Sequence, residues 1–172
     1  MRSAVIVPVP EASGAVDHWR EQTGNDKPSI GVPPHITLLF PFVPAAQLTD
    51  EVIASLRDVV ATVPAFELAL RETARFPELL YLAPEPAAPF TQLTELIAAR
   101  FPDYAPYEGA IALADLTPHL TVAYGDTELL ADAEADVRPR LPITAVVREA
   151  VLLEEVEPNW GRWEVRAQLP LS

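Results

Sequence analysis

The sequence predicts an α+β protein with two similar halves, antiparallel-rich sheets and outer helices, and three observations support this prediction. Apolar runs and helical periodicities alternate in the order β-α-loop-β-α-β, and this order occurs twice. VPAFELALRE at 63–72 resembles LPITAVVRE at 141–149. A His-apolar-Thr-apolar sequence also occurs at equivalent places in the two halves, at His35 and at His119.

These repeats predict a duplicated domain. We expect 1–172 to form one domain of two pseudo-symmetric lobes, about 3–78 and 79–172, with two sheets facing a central cleft.

The first half begins with AVIVPVP (4–10), a short apolar run rich in β-branched residues that predicts a buried strand. Residues 11–22 predict a helix, which Gly24 ends. The Gly- and Pro-rich segment 25–34 predicts a loop, and a second strand follows from His35.

Two longer elements complete this half. Leu48 to Val60 has apolar residues three and four positions apart, which predicts a helix. AFELALRETARF (65–76) alternates apolar and polar residues and predicts a long strand.

The second half repeats the order. Its strands are apolar runs or alternations, and its first helix carries an apolar stripe. We expect strand 79–84, helix 89–101, loop 102–118 with a short extended piece at 110–114, strand 119–124, helix 128–137, and strands 143–155 and 162–171.

Composition limits the classes of function. The net charge is −13, whereas a protein that binds long nucleic acid needs a broad basic surface. One or two local arginines could still oppose that field and hold a small phosphate-bearing ligand. The chain has no cysteine, which excludes disulfides, thiolate metal ligands and cysteine nucleophiles.

The chain also lacks the features of membrane and exported proteins. No segment approaches the length of about 18 apolar residues that a membrane span needs. The N-terminal apolar run is too short and too interrupted by proline for a signal peptide. We therefore expect a soluble cytoplasmic protein without membrane contact, and the acidic surface gives no reason to expect more than a monomer.

Two of the three histidines occur in the same local sequence. PPHITLLFPF contains His35 and Thr37, and TPHLTVAYG contains His119 and Thr121. Because residues i and i+2 of a strand point to one face, each histidine projects together with its threonine. Two lobes related by a pseudo-two-fold axis would bring both pairs into one cleft.

The intervening residues of these strands are predicted to face the other way. Ile36, Leu38 and Phe40 alternate with the first pair, and Leu120 and Val122 alternate with the second. We expect all five to lie in the hydrophobic core.

Two imidazoles and two hydroxyls in one cleft suit a phosphodiester. With an unperturbed pKa of about 6.5, one imidazole can be neutral while the other is protonated. The neutral one can deprotonate water and the protonated one can protonate the leaving alkoxide, each contributing about 10²–10⁴ in rate. The hydroxyls can donate to non-bridging phosphate oxygens. This chemistry requires no metal or other cofactor.

Further residues are weaker candidates for binding the substrate. Aromatic side chains can stack on bases and arginines can hold a phosphate, although aromatics in strands usually belong to the core. The third histidine, His18, has no threonine partner and is expected to be an ordinary helix residue. A metal site from histidines and the glutamates near 154–157 has no spacing in its favour. The additional substrate-binding candidates are Arg75, Tyr81, Tyr124, Trp160 and Arg162.

The sequences HITL from His35 and HLTV from His119 resemble the paired motifs of the 2H phosphoesterase superfamily, which includes 2′-5′ RNA ligase-like proteins and cyclic nucleotide phosphodiesterases. Chain length, the 84-residue separation of the motifs and the duplicated order extend this resemblance over nearly the whole chain. The resemblance implies a bilobal fold and metal-independent chemistry on 2′,3′-cyclic phosphates or 2′-5′ phosphodiesters. It also implies that His35 and His119 are the catalytic acid and base, in an order left open, and that Thr37 and Thr121 bind the phosphate.

One departure bears on the substrate. Superfamily members that act on RNA tend to carry basic residues around the cleft, whereas this chain is acidic and has Lys27 as its single lysine. We therefore expect a small nucleotide or a short RNA end rather than a long RNA. Two alternatives stay open: a non-catalytic module that binds nucleotides or RNA ends, and 2′-5′ RNA ligase activity.

Overall fold

The computed structural model describes residues 1–172 and contains four α-helices and eight β-strands. None of its helices combines the length and the hydrophobicity that crossing a membrane requires. The helices are α1 (Ser13–Thr23), α2 (Asp50–Val60), α3 (Ala88–Arg100) and α4 (Thr127–Val137). The strands are β1 (Ser3–Pro8), β2 (His35–Leu39), β3 (Phe66–Phe76), β4 (Leu79–Glu85), β5 (Leu120–Tyr124), β6 (Ile143–Val147), β7 (Glu149–Glu157) and β8 (Arg162–Pro170).

Local hydrogen bonds set the starts of two helices. The Thr49 hydroxyl accepts a hydrogen bond from the Val52 amide at the start of α2. The Asp126 carboxylate does the same for the Leu129 amide at the start of α4. Such caps satisfy amides that have no partner within the helix, so they determine where the helix begins.

All strand pairs are antiparallel, and the strands form one sheet in the order β6-β3-β4-β5-β2-β1-β7-β8. The predicted α+β class and the antiparallel pairing are confirmed. The two expected sheets are joined, however, because β2 and β5 pair at Ile36 and Leu120. Two four-stranded halves therefore meet at one narrow junction.

Each half of the sheet contains strands from both halves of the sequence. β3 lies beside β4, and β7 and β8 lie beyond β1. Only residues 77 and 78 separate β3 from β4, and so short a connection requires the two strands to be neighbours. The boundary near residue 78 therefore separates the sequence repeats but does not divide the structure into lobes in space. The duplication itself stays a prediction.

Two predicted extended segments differ in the structure. The expected strand 143–155 is interrupted at Arg148, because β6 pairs with β3 whereas β7 pairs with β1 at the other half of the sheet. The expected extended piece at 110–114 is absent. Short 3₁₀ turns at Pro106–Gly109 and Leu113–Asp115 take its place.

The helices cover one face of the sheet. All four contribute to the main core, where they pack against the strand residues Ile36, Leu38, Leu120 and Val122, as predicted for these four. Phe40 does not join this core, because β2 ends at Leu39 and the alternation ends with it. A smaller apolar cluster lies on the helix-free face, and Phe40 packs against it. It consists of Ala4, Ile6, Val32, Val151, Leu153 and Trp163.

Candidate active site

The junction between β2 and β5 forms a cavity that contains both His-Thr pairs. This cavity, which we name the histidine cleft, has a volume of about 420 Å³ and is lined by His35, Thr37, His119 and Thr121. His35 and Thr37 lie on β2, whereas His119 directly precedes β5, which carries Thr121. The two neighbouring segments thus present four polar side chains to one space.

Both imidazoles are held in the same way. His35 Nδ1 donates to the carbonyl of Pro33 at 2.7 Å, and His119 Nδ1 donates to the carbonyl of Thr117 at 2.8 Å. A carbonyl oxygen only accepts, so Nδ1 carries the proton in the neutral ring and Nε2 has a free lone pair. The two rings therefore have the same tautomer, and Nε2 of each is the nitrogen available for proton transfer.

Burial lowers the pKa of both histidines below the usual 6.5. For His35 the Asp26 carboxylate, 3.9 Å from Nε2, and the Pro33 carbonyl offset part of this effect. For His119 the Thr117 carbonyl and Asp26 have the same role. Burial in the cleft thus favours neutral imidazoles, while a bound anion would raise both pKa values.

Asp26 lies at the cleft, although sequence reasoning did not identify it. Its loop is held by Arg20 of α1, a guanidinium that is only 1% exposed. Arg20 Nη2 donates to the carbonyls of Asp26 at 2.6 Å and Val32 at 2.9 Å, and Nη1 pairs with Asp17 at 3.0 Å. No spacing in the sequence links Asp26 or Arg20 to the histidines, so no sequence signal indicated them.

Two aromatic rings support His119. The centroids of Phe76 and Tyr81 lie 5.2 and 5.6 Å from that of the imidazole, and the two rings stack on each other at 4.5 Å. Tyr81 was a predicted substrate contact, but it is only 7% exposed and packs beside His119 instead. The two rings contribute to the burial that lowers the pKa of His119.

Two further tyrosines line the cleft, and one of them, Tyr107, was not predicted. The amide of Tyr107 donates to the Phe40 carbonyl at 2.7 Å, and burial raises the pKa of its phenol. Burial and the nearby Asp26 carboxylate raise the pKa of Tyr124 to about 12. Both phenols therefore keep their protons near neutral pH and can donate hydrogen bonds.

The remaining predicted contacts divide into two groups. Tyr124 and Trp160 line the histidine cleft. Arg75 instead pairs with Glu134 of α4 at 3.4 Å. Arg162 pairs with the exposed carboxylates of Glu157, at 3.2 Å, and Glu164. These two arginines therefore do not contact a phosphate in the cleft as expected. They pair with carboxylates outside the cleft, because the chain is so rich in acidic residues.

A second cavity adjoins the cleft. This side pocket, of about 360 Å³, is mostly apolar and shares Thr37, Tyr107, His119 and Tyr124 with the cleft. His18, in contrast, lies on α1 beside Gln22, as expected for a histidine outside the site.

The sheet is antiparallel, and each of its two halves presents a His-Thr pair to one cleft. This arrangement is that of the two-histidine fold class that the motifs predicted. The family model described as 2′-5′ RNA ligase superfamily matches residues 8–159, and the chain belongs to this family.

Solved structures share the fold. A Thermus thermophilus protein, TT0787, is 22% identical with a TM-score of 0.63, and the match covers 99% of this chain and 97% of that one. Apo LigT from E. coli is 18% identical with a TM-score of 0.61, over 99% and 97% of the two chains. A crystal structure described as a phosphoesterase is 17% identical with a TM-score of 0.60, over 99% and 98%. No curated protein matches the chain in sequence.

Proposed function

We propose that this protein is a metal-independent phosphoesterase that hydrolyses 2′,3′-cyclic phosphates or 2′-5′ phosphodiesters of nucleotides or short RNA ends. One observation carries the proposal: His35 and His119 both bind a backbone carbonyl through Nδ1, which leaves Nε2 of each free in one cleft. Membership of the 2′-5′ RNA ligase superfamily supports a phosphate ester as substrate. E. coli LigT has been crystallised with 3′-AMP and with ATP, which supports a ligand of nucleotide size.

The two histidines divide the proton transfers of cyclic phosphate hydrolysis. One neutral imidazole takes a proton from water through Nε2 while the water oxygen forms a bond to phosphorus. The other, protonated imidazole gives its Nε2 proton to the leaving ribose oxygen as the P–O bond breaks. The product is a phosphomonoester, and exchange with bulk water restores the starting protonation states.

The hydroxyls stabilise the charge that develops on phosphorus oxygens. Thr37 and Thr121 line the same cleft as the two imidazoles, so their hydroxyls can donate hydrogen bonds to the non-bridging oxygens of a phosphate bound there. The protonated phenol of Tyr124 adds a third donor at the edge of the same cleft.

The experiment that tests this function uses phosphorus NMR. The protein is incubated with nucleoside 2′,3′-cyclic phosphates in the presence of a chelator, between about pH 5 and 8. We expect ring opening to a monoester, lost in His35→Ala and His119→Ala. His18→Ala removes the histidine outside the cleft and is the matched control, which should keep its activity.

Two results would contradict the proposal. Tight nucleotide binding without turnover over that pH range would indicate a binding module. Joining of RNA ends in place of hydrolysis would indicate a ligase.

A further inference from the structure

The side pocket opens where the pairing between β2 and β5 stops. The two strands pair only at Ile36 and Leu120, and the same antiparallel register would place Leu38 opposite Pro118. Proline has no N–H to donate, so it cannot continue the ladder there. The Leu38 carbonyl instead accepts from the hydroxyl of Thr94 of α3 at 2.7 Å. The gap between the two chain segments is therefore lined by α3 rather than closed by strand pairing.

The walls of the side pocket are mostly apolar, and their charged side chains are acidic. Leu39, Leu79 and Phe90 contribute apolar surface from β2, β4 and α3. Glu95 and Asp115 are accompanied by no lysine or arginine. A carboxylate repels an anionic group and cannot donate a hydrogen bond to the acceptor nitrogens of a base. The pocket therefore suits an uncharged apolar group better than a second phosphate or a nucleotide.

One wall of the side pocket is an exposed segment of apolar composition. Residues 108–115, EGAIALAD, which we name the strap, are all exposed, although five of the eight are Ala, Ile or Leu. Ile111 and Leu113 line the pocket and are 44% and 39% exposed. The strap forms local backbone hydrogen bonds, such as that from the Asp115 amide to the Ala112 carbonyl at 2.9 Å. An apolar group in the pocket would remove the side chains of Ile111 and Leu113 from water, which is favourable.

The side pocket reaches the reacting groups of the cleft. Thr37, Tyr107, His119 and Tyr124 line both spaces. A phosphate bound between the two histidines can therefore carry an ester group that extends into the side pocket. In a 2′,3′-cyclic phosphate both ester oxygens belong to one ribose, so that substrate has no separate group for this pocket.

We propose that the side pocket binds an uncharged aryl or alkyl group esterified to the phosphate, and that acyclic phosphodiesters with such a group are further substrates. This proposal rests on the proposed function and adds a substrate class to it. Water forms a bond to phosphorus and gives a proton to Nε2 of the neutral imidazole. The P–O bond to the apolar group breaks, and the protonated imidazole supplies a proton to that oxygen. The products are a phosphomonoester and an alcohol or phenol.

The test compares methyl phenyl phosphate with adenosine 2′,3′-cyclic phosphate, whose phosphate carries no separate ester group. We expect the protein to release phenol from the first. The double variant Ile111→Ser with Leu113→Ser changes exposed residues and should lower kcat/KM for the phenyl ester by about 5- to 50-fold, as for loss of part of an apolar contact. The cyclic ester should be largely unaffected. Val165→Ser, which changes an exposed apolar residue of β8 outside both cavities, is the matched control.

A charge reversal gives a test that loss of folding cannot mimic. Glu95→Lys replaces a repelling charge with an attracting one, so it should raise kcat/KM for methyl 4-carboxyphenyl phosphate relative to methyl phenyl phosphate. We expect a gain of about 3- to 10-fold, the size of a charge interaction at a partly exposed site. Glu128→Lys makes the same change of net charge at an exposed residue of α4 and should not alter this ratio. An unchanged ratio in Glu95→Lys would contradict the placement of the ester group in the side pocket.

Binding of phosphonates separates this proposal from the proposed function, because their carbon–phosphorus bond is not hydrolysed. Calorimetry should show tighter binding of phenylphosphonate than of methylphosphonate, and hydrogen exchange in the strap should be slowed by the phenyl compound alone. A preference that is lost in the double strap variant supports the binding site even if neither ester is hydrolysed, in which case the proposed function fails and the binding site stands. Hydrolysis of the cyclic ester without that of methyl phenyl phosphate, or equal losses on both esters in the strap variant, would overturn the proposal.

Discussion

Two backbone hydrogen bonds determine what His35 and His119 can do. Because each imidazole donates from Nδ1 to the carbonyl two residues earlier, each presents an unprotonated Nε2 to the cleft. The residue between carbonyl and histidine is proline in both cases, Pro34 and Pro118, and its restricted φ limits how that carbonyl can turn. The site thus combines two nearly equivalent imidazoles whose difference comes from their neighbours.

Substitution of the threonines tests the proposed phosphate ligands. Thr37→Val and Thr121→Val remove a hydroxyl with little change of shape. We expect each to lower kcat by about 10²–10³, the usual loss when one donor to a developing oxyanion is removed. Steady-state kinetics on a cyclic nucleotide measures it, and Thr91→Val, which changes a side-pocket residue of α3, is the control. An unchanged kcat in both cleft variants would show that the hydroxyls do not bind the phosphate.

Asp26 should influence how kcat/KM depends on pH. Its carboxylate opposes the effect of burial on His35, so Asp26→Asn should lower the pKa of His35 further. The limb of the kcat/KM profile that belongs to His35 should therefore move to lower pH, since this profile reports groups of the free enzyme. The exposed carboxylate Asp58 of α2 provides the control variant Asp58→Asn. A profile that stays in place in Asp26→Asn would mean that Asp26 does not influence the reacting imidazole.

Among the elements, α1 and the loop that follows it have the greatest influence on the cleft. The loop carries Asp26 and Val32 to the cleft, and the buried Arg20 of α1 binds the backbone carbonyls of both. Gly31 brings the loop against β8: its φ is 95°, and a Cβ there would lie 2.2 Å from the Trp163 carbonyl oxygen. One helix thereby positions a loop that would otherwise be free to move.

Loss of Arg20 should therefore affect both stability and activity. Arg20→Met leaves the carbonyls of Asp26 and Val32 without their donor, and each unsatisfied buried group costs about 1–3 kcal/mol. We expect a lower free energy of unfolding in urea. In addition, the loop that carries Asp26 to the cleft loses its anchor, so kcat/KM for a cyclic nucleotide should fall.

The control for this prediction is Arg100→Met, which changes an exposed arginine bonded to Ser55. Its effect on stability should be within about 0.5 kcal/mol, as for most surface substitutions. Equal stability of Arg20→Met and Arg100→Met would contradict the structural role given to Arg20.

For the whole molecule, the net charge of −13 opposes the approach of an anionic substrate. Six of the arginines pair with carboxylates outside the cleft, so they do not reverse this field there: Arg71, Arg75, Arg138, Arg140, Arg162 and Arg166. The proposed binding of an anion then depends on local hydrogen bonds and on a protonated imidazole.

We therefore expect kcat/KM for a cyclic nucleotide to rise as salt is added towards about 0.1 M, where the Debye length falls to about 10 Å and screens the repulsion. Steady-state kinetics at several ionic strengths measures this effect, and the unfolding midpoint at each salt concentration checks that the fold is unchanged. A fall of kcat/KM with salt would indicate that local attraction at the cleft exceeds the repulsion of the whole molecule.

Local patterns in the sequence were sufficient for most elements and for the two His-Thr pairs. The two-residue repeat of a strand identified which side chains share a face with His35, and helical periodicity identified α2 and α3. Phe40 marks the limit of such patterns, because alternation holds only while the strand continues, and β2 ends one residue earlier.

The sequence by itself determined most of the elements, the alternation of their faces and the two motifs, because these depend on residues a few positions apart. Only the tertiary structure decided the exchange of β3 and β7 between the sheet halves, the position of Asp26 beside His35 and the pairing of Arg162 away from the cleft. These features depend on which strand edges and charges become neighbours when distant segments pack. No pattern confined to one segment contains that information.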